Sequence, residues 1–554
     1  MDFREHEERI LSMKYSNDEP GEPALDRRID RRAFLARMTA FTAAASMAAA
    51  AAPRLVRTAN AAPVIDDGAI ADEVRPEATT DLTELTISEA AHLLKKKKIS
   101  PVYLVQAYLD RIHKFDSVYK AWNTVLEDQA LAQAQDLEGK AHRSPLQGIP
   151  LAIKDNYYSA GVPTTANSHI FKDFVPDYDA TCLARLKAAG AIVLGKTQMG
   201  PLATTRATTP DGVITTVNAW TPSAPSVDPG GSSTGSACAV AGRMACSSVG
   251  TQTGGSIVNP SNRQGLTGLK PTFGRNSLYG IIPLTYTRDH PGPLARDAMD
   301  AAIMLTAMAG PDPNDPRTMG LPKLPNLIKA ATPLRRGVIR FSTRLGIIPG
   351  YTDGSSDDAT ARKAMISTFE SLGVEVVEVK MPDEWDLLTG TAFNNVRLPE
   401  RTEPFLTYLK QDVRLFGVSL GSWMQGLFMS GDEFLKGQRA KLILLKRVLT
   451  QLFSQCDAVV QTSPNPFDGI GLPELALPIG FGTDTQTGLT VPLGAIIGGL
   501  PYAEDRLLAL AAAFQSVTDF HLQRPPDPAV SAVSAFSAQA ELRLGEDDVV
   551  ALSE

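Results

Sequence analysis

Residues 228–275 read DPGGSSTGSACAVAGRMACSSVGTQTGGSIVNPSNRQGLTGLKPTFGR. Two Gly-Gly-Ser units, Gly230-Gly231-Ser232 and Gly254-Gly255-Ser256, flank a run of small residues, Ser236–Cys246, that reads as one helix. Glycines beside a serine let the backbone approach a ligand closely and adopt angles closed to other residues. They also present consecutive N–H groups to a developing oxyanion. Two such units around a helix argue for a reactive site rather than a Gly/Ser-rich surface loop.

The nucleophile within this segment has two candidates. Gly231-Ser232-Ser233-Thr234-Gly235 matches G-x-S-x-G, the elbow that presents the nucleophile of α/β-hydrolases, which would make the chain an esterase acting through Ser233. That elbow needs a strand before it, yet Pro222–Pro229 carries three prolines and no strand pattern. Only His290 and His521 follow it as possible bases. In the other reading the serines of the two units act together.

Working outward, the chain alternates short apolar runs with helical periods. Thr86-Ile87-Ser88-Glu89 reads as a capping box opening a helix through Leu94, and Ser100-Pro101 as the start of a second. A third helix is expected over Leu126–Leu137. Gly148–Ile153 is an apolar run behind Pro-Gly punctuation, consistent with a buried strand that ends at Lys154. Ala180–Ala188 reads as a helix, Ala191–Leu194 as a strand, and 204–231 as a long loop of the kind usually kept for function. Further on, Val338–Phe341, Val374–Val379 and Leu493–Ile497 read as strands, and Asp358–Leu372 and Asp505–Phe514 as helices. Residues 385–455 read as mostly helical. Such alternation argues for one large α/β unit with a central sheet.

The serine-rich segment resembles the signature of the amidase signature family. Its pieces are Gly230–Ser233, Gly254–Ile257 and Gly268-Leu269-Lys270-Pro271-Thr272, with a separate lysine in Gly148-Ile149-Pro150-Leu151-Ala152-Ile153-Lys154. The likeness extends over about residues 85–520, through Gly280-Ile281-Ile282-Pro283, Gly471-Leu472-Pro473 and Val491–Gly494. It implies a single large domain with a central mixed β-sheet flanked by helices. It also implies Ser256 as nucleophile, Ser232 as bridging serine after a cis peptide, and Lys154 as general base. The N–H groups of Thr253, Gly254, Gly255 and Ser256 would form the oxyanion hole, with Ser233 and Thr251 as supporting hydrogen-bonders. Gln252 stands where many members have Asp, and Val258 where many have Arg. The implied reaction is hydrolysis of a carboxamide or anilide C–N bond through an acyl-enzyme, with no metal or cofactor. A catalytically silent binding protein would share the fold without the chemistry.

Composition narrows the partners. The 554 residues are 43% hydrophobic and 21% charged with a net charge of −7, so no basic field for nucleic acid exists. Lys95–Lys98, the one dense basic run, reads as a solvated helix end. The four cysteines form no C-x-x-C, and Cys238 and Cys246, about 12 Å apart along one helix, are too distant to bridge. Seven scattered histidines include no H-E-x-x-H, so no metal site is expected. A small-molecule amide remains as the expected partner. Trp385, Phe393, Phe405, Phe416, Trp423 and Phe428 either shape an apolar acyl or aryl pocket or are ordinary core.

The N-terminus reads as an address. Asp30-Arg31-Arg32-Ala33-Phe34-Leu35 precedes the weakly apolar Thr39–Ala52, and Ala59-Asn60-Ala61 supplies a small-x-small cleavage pattern. This resembles a bacterial twin-arginine export signal. The apolar run is too short and interrupted for a stable membrane span. The expected layout is a signal over 1–61, a tether over 62–82, a catalytic domain over 83–525 and a tail over 526–554. The expected location is periplasmic or secreted.

Overall fold

In the computed structural model, which describes residues 74, 75, 78 and 80–529, eleven strands form one mixed sheet. The export segment expected over 1–61 and the chain beyond 529 lie outside the described residues. The strands are β1 (Trp122–Val125), β2 (Pro150–Lys154), β3 (Ile192–Thr197), β4 (Ser247–Gln252), β5 (Thr267–Lys270), β6 (His290–Ala295), β7 (Arg344–Ile347), β8 (Glu375–Glu378), β9 (Ala458–Gln461), β10 (Glu474–Thr483) and β11 (Thr490–Gly499). Their order across the sheet is β1-β3-β2-β4-β6-β5-β10-β11-β9-β7-β8. β2 runs parallel to β3 and β4, and β7 parallel to β8 and β9. The pairs between β4 and β9 through the middle are antiparallel.

β2 lies between two parallel neighbours and is buried along its whole length, as its unbroken apolar run requires. The helix Ile87–Lys95 opens on the capping box of Thr86 and Glu89, and Pro101–Tyr119 on Ser100. They bury Leu94, Leu104, Tyr108 and Ile112 in the same cluster as Leu151 and Ile153. On the other half of the sheet, Leu475 and Ile497 pack with Leu507 and Leu508 of the helix Glu504–Gln515.

Several elements differ from the sequence reading. Val338–Phe341 is irregular and half-buried; the strand forms instead at Arg344–Ile347, where Leu345 is fully buried and pairs with Ala458. Burial between β8 and β9 decides that register, and local apolarity does not. The small-residue helix runs from Thr234 to Ala241 and stops at Gly242 and Arg243, whose φ is +61°. Cys246 therefore lies outside the helix that holds Cys238, and both cysteines are free and buried. β4 and β6, with the sequences SSVGTQ and HPGPLA, carry no strand signal of their own. In β4 the Ser247 and Ser248 hydroxyls donate to the carbonyls of Leu294 and Ser236 at 3.0 and 2.9 Å, which allows polar residues in the centre of the sheet. Pro291 and Pro293 fit in β6 because its ladder with β5 covers only Leu294 and Ala295.

The chain at both expected domain borders is fastened. Arg75, inside the stretch expected as a tether, pairs with Glu89 at 2.7 Å. Asp527 pairs with Arg111 at 2.7 Å and with Arg243. Beneath the end of β2, Asp155 and Lys196 form a buried ion pair at 3.0 Å. Asp155 also accepts from Asn123 and Thr165, and Lys196 donates to the Tyr157 carbonyl and Thr164. Removing one partner leaves the other charged and buried, at a cost of about 3–5 kcal/mol. Lys196→Met should therefore lower the urea midpoint markedly, and adding Asp155→Asn should recover part of that loss. Equal midpoints for the Lys196→Met single variant and the unaltered chain would show that the pair does not hold this corner together.

Candidate active site

Lys154 is the last residue of β2, and its neighbour Asp155 turns away toward Lys196, as alternation along a strand demands. The Lys154 Nζ is surrounded by oxygens: Ser232 Oγ at 2.8 Å, Ser233 Oγ at 2.9 Å, Thr251 Oγ1 at 3.0 Å and the Thr251 carbonyl at 3.3 Å. No carboxylate touches it among the described residues. Burial pulls the Lys154 amine down to about 7, against the attraction of Asp289. At neutral pH a large share of it is a free amine, with a lone pair able to accept a proton from Ser232.

The hydroxyls come from two backbone devices. The peptide Gly231–Ser232 is cis, and Ser232 faces the lysine. A side chain at Gly231 would meet the Thr205 carbonyl oxygen at 2.5 Å, so only glycine allows this approach. Ser233 starts the helix Thr234–Ala241, and its hydroxyl bridges Lys154 and the Thr251 carbonyl. Thr251 comes from β4, and its hydroxyl also accepts from Asn156 at 3.1 Å. Lys154, Ser232, Ser233 and Thr251 are thus brought together as the sequence implied.

Ser256 lies four residues beyond β4, between that strand and the helix Val258–Gln264. It is 8% exposed, against 1% for Ser232 and 0% for Lys154, so of the three it is the one nearest solvent. Among the described residues no hydrogen bond joins Ser256 to Ser232, so the link between the two serines is not closed here. Thr253 and Gly254 keep their N–H groups clear of internal bonds among the described residues, as does Ser256. Gly255 does not: its N–H donates to Asp468 at 2.9 Å. Of the four N–H groups that the resemblance implies as oxyanion donors, that of Gly255 already has a carboxylate, which leaves those of Thr253, Gly254 and Ser256.

Asp468 belongs to a network that sequence reading missed. Gln252 donates through its amide nitrogen to Asp468 and Glu474, both at 2.9 Å. Its amide oxygen accepts from the N–H groups of Ile257 and Val258, also at 2.9 Å. Lys270, from the G-L-K-P-T run, lies 3.6 Å from each carboxylate. Burial and Asp468 push the Glu474 carboxyl well above its ordinary range. An aspartate at 252 could not donate to these carboxylates, which gives the departure at that position its physical reason. Thr253 Oγ1 donates to Asp289, which also accepts from the N–H groups of Leu284 and Thr285. Asp289 and Asp468 lie 36 and 213 residues from Thr253 and Gly255, so no local spacing could have pointed to them.

Other expectations resolve differently. Ser233 has no strand before it, and His290 points its Nδ1 at the Arg288 carbonyl, 2.6 Å away. The hydrolase elbow therefore lacks its strand, and the Ser233 hydroxyl meets Lys154 and the Thr251 carbonyl rather than a histidine. Phe405, Phe416 and Trp423 pack edge-on and tilted against one another in a buried cluster, while Phe428 is 79% exposed. Among the described residues no helix is long and apolar enough to cross a membrane, and no three His, Cys, Asp or Glu side chains gather as a metal site would require.

Comparison with known proteins agrees with this geometry. The family model described as Amidase matches residues 103–461. The chain is 33% identical to an amidotransferase component from Geotalea daltonii, the A-type subunit of its glutamyl-tRNA(Gln) amidotransferase, over 80% of this chain and 99% of that protein. It is 32% identical to the component of the same name from Moorella thermoacetica, over 80% and 99%. Among solved structures it is similar to the peptide amidase of Stenotrophomonas maltophilia, with 27% identity, a TM-score of 0.68 and coverage of 81% and 99%. An amidase family protein from Bacillus anthracis gives 25% identity and a TM-score of 0.69, over 82% and 95%. The α/β architecture, the buried lysine among hydroxyls and these matches agree: the chain belongs to the amidase family, as a hydrolase of that family.

Proposed function

We propose that the protein is an exported serine amidase that cleaves a carboxamide or anilide C–N bond. One observation carries the chemistry: a lysine buried among hydroxyls, without a carboxylate against it, and with its amine pulled down to about 7. Such an amine is a base at neutral pH, whereas a solvated lysine near about 10.4 is not. Ser256 Oγ attacks the amide carbonyl and forms an ester as its proton passes through Ser232 to Lys154. The N–H groups of Thr253, Gly254 and Ser256 hold the oxyanion. The proton returns to the leaving amine as the C–N bond breaks, and water then hydrolyses the ester. Closure of the Ser256–Ser232 link belongs to the substrate-bound state, since catalytic hydrogen bonds often tighten only there.

The names of the sequence relatives favour a second reading, one component of a multi-protein amidotransferase. Turnover of simple amides by the purified chain alone supports the first reading. Turnover only in the presence of further components supports the second. For export, the support is the Arg31-Arg32 motif with the small-residue pattern at Ala59–Ala61.

Protonation of Lys154 removes the base, so kcat/KM on an amide should rise with pH through an apparent pKa near 7 and level off above it. Lys154→Met should lose about 10²–10⁴-fold in kcat/KM and the pH step with it. A flat profile from pH 6 to 10, with chemistry rate-limiting, would remove lysine as the base.

A fluorophosphonate should label Ser256, located by peptide mass spectrometry, and Lys154→Ala should abolish the label. An adduct on Ser233 would return the chain to the esterase reading.

Replacing Arg31 and Arg32 by lysine should keep the protein in the cytosol with its full N-terminus, whereas the unaltered chain should be recovered outside, shortened after Ala61. Unchanged distribution of the double variant would sink the export proposal.

A further inference from the structure

Next to the oxyanion loop the structure buries more positive charge than it pairs. Arg288 precedes β6, and Arg401 lies on the helix Arg397–Thr402. Both are almost fully buried, with 1% and 2% exposure. Among the described residues Nε and Nη1 of each guanidinium have no acceptor, and neither does the indole N–H of Trp423, over which Arg401 lies at 5.4 Å. Guanidinium and indole N–H groups can only donate. Lys441 adds a third cation at the edge of this group, 2.7 Å from Thr287 Oγ1.

The carboxylates that act on Arg288 are engaged elsewhere. Asp289 accepts from Thr253, Leu284 and Thr285; Glu400 accepts from Thr287 and Gln438; Asp468 accepts from Gln252 and Gly255. Among the described residues none comes within 4 Å of a guanidinium nitrogen of Arg288 or Arg401. Burial, followed by the charges of Arg397 and Arg288, pulls the Arg401 guanidinium down to about 9. The group is joined to the reaction centre by a short path. Arg288 Nη2 reaches the carbonyl and side-chain oxygens of Asn465 at 3.4 and 3.5 Å, and a Cβ on Gly254 would lie 3.2 Å from that same side-chain oxygen.

A buried guanidinium is retained at a cost unless an anion meets it, and its planar fork fits a carboxylate. We propose that Arg288 and Arg401 form an anion subsite of the active site, and that the amide cleaved here carries a carboxylate on its acyl chain. This inference rests on the serine-amidase reading above. Of the two roles open to the aromatic residues, acyl pocket or ordinary core, Phe405, Phe416 and Trp423 take the second, their rings being taken up with one another.

The test compares glutaric acid monoanilide with valeranilide, which differ by the terminal carboxylate. The unaltered enzyme should favour the acid at least tenfold in kcat/KM. Arg401→Met should reduce that ratio to within about twofold of one, and Arg401→Lys should restore part of it, which a merely structural role for the residue would not do. An equal or reversed preference in the unaltered enzyme, or a preference that survives Arg401→Met, overturns the subsite. Glutarate binding to Ser256→Ala, followed by calorimetry, separates this inference from the amidase reading, because it needs no turnover. Binding that is lost in Ser256→Ala/Arg401→Met and regained with Arg401→Lys supports the subsite even if neither anilide is cleaved. No binding of glutarate to Ser256→Ala overturns it even if valeranilide is cleaved.

Discussion

The site depends on one constraint, the removal of Lys154 from water without the gift of a carboxylate. A lysine that is both buried and ion-paired stays charged and cannot accept a proton. The structure separates the two roles along a single strand end. Lys196 has its carboxylate in Asp155 at 3.0 Å, whereas Lys154 faces only the oxygens of Ser232, Ser233 and Thr251. The period-2 geometry of a strand makes this division possible, since consecutive side chains leave on opposite faces. Asp289 is felt by Lys154 only at a distance, and its carboxylate is spent on Thr253 and two backbone N–H groups.

That arrangement has a thermodynamic consequence. The unfolded chain holds a proton on Lys154 up to about pH 10, and the folded chain only below about 7. Folding at neutral pH therefore expels a proton, at a cost on the order of 5 kcal/mol for the full shift. Because the unfolded state binds more protons across that interval, this residue's contribution to stability rises with pH from about 7 to 10. The surrounding core must offset the penalty at working pH. β2 is buried at every residue, with Leu151 and Ile153 in the main apolar cluster. The penalty of function thus falls on a strand that the core holds along its whole length.

Legibility in the sequence followed the range of each interaction. Local signals were readable: the capping box at Thr86 and Glu89, the apolar run before Lys154, and the paired glycines around Ser232 and Ser256. The family resemblance implied Ser233 and Thr251 as supporting hydrogen-bonders, and both lie against Lys154. What failed was whatever tertiary context decides. β4 and β6 are strands because neighbours bury them, despite sequences of serine, glycine and proline. β7 forms at Arg344 rather than Val338 for the same reason. The Gly255 N–H counts as an oxyanion donor in sequence, but a carboxylate 213 residues away claims it.

The Gln252 network shows how a change at a signature position is absorbed. Gln252 offers an acceptor to the N–H groups of Ile257 and Val258 and a donor to two carboxylates, four contacts from one side chain. An aspartate there could supply only the acceptor half. Two carboxylates share one lysine here, and burial together with the charge of Asp468 pushes the Glu474 carboxyl well above its ordinary range. Gln252, Lys270, Asp468 and Glu474 all sit at 0% exposure beneath the loop of Gly254 and Gly255. The loop that presents Ser256 is thus held from below by an amide and an aspartate.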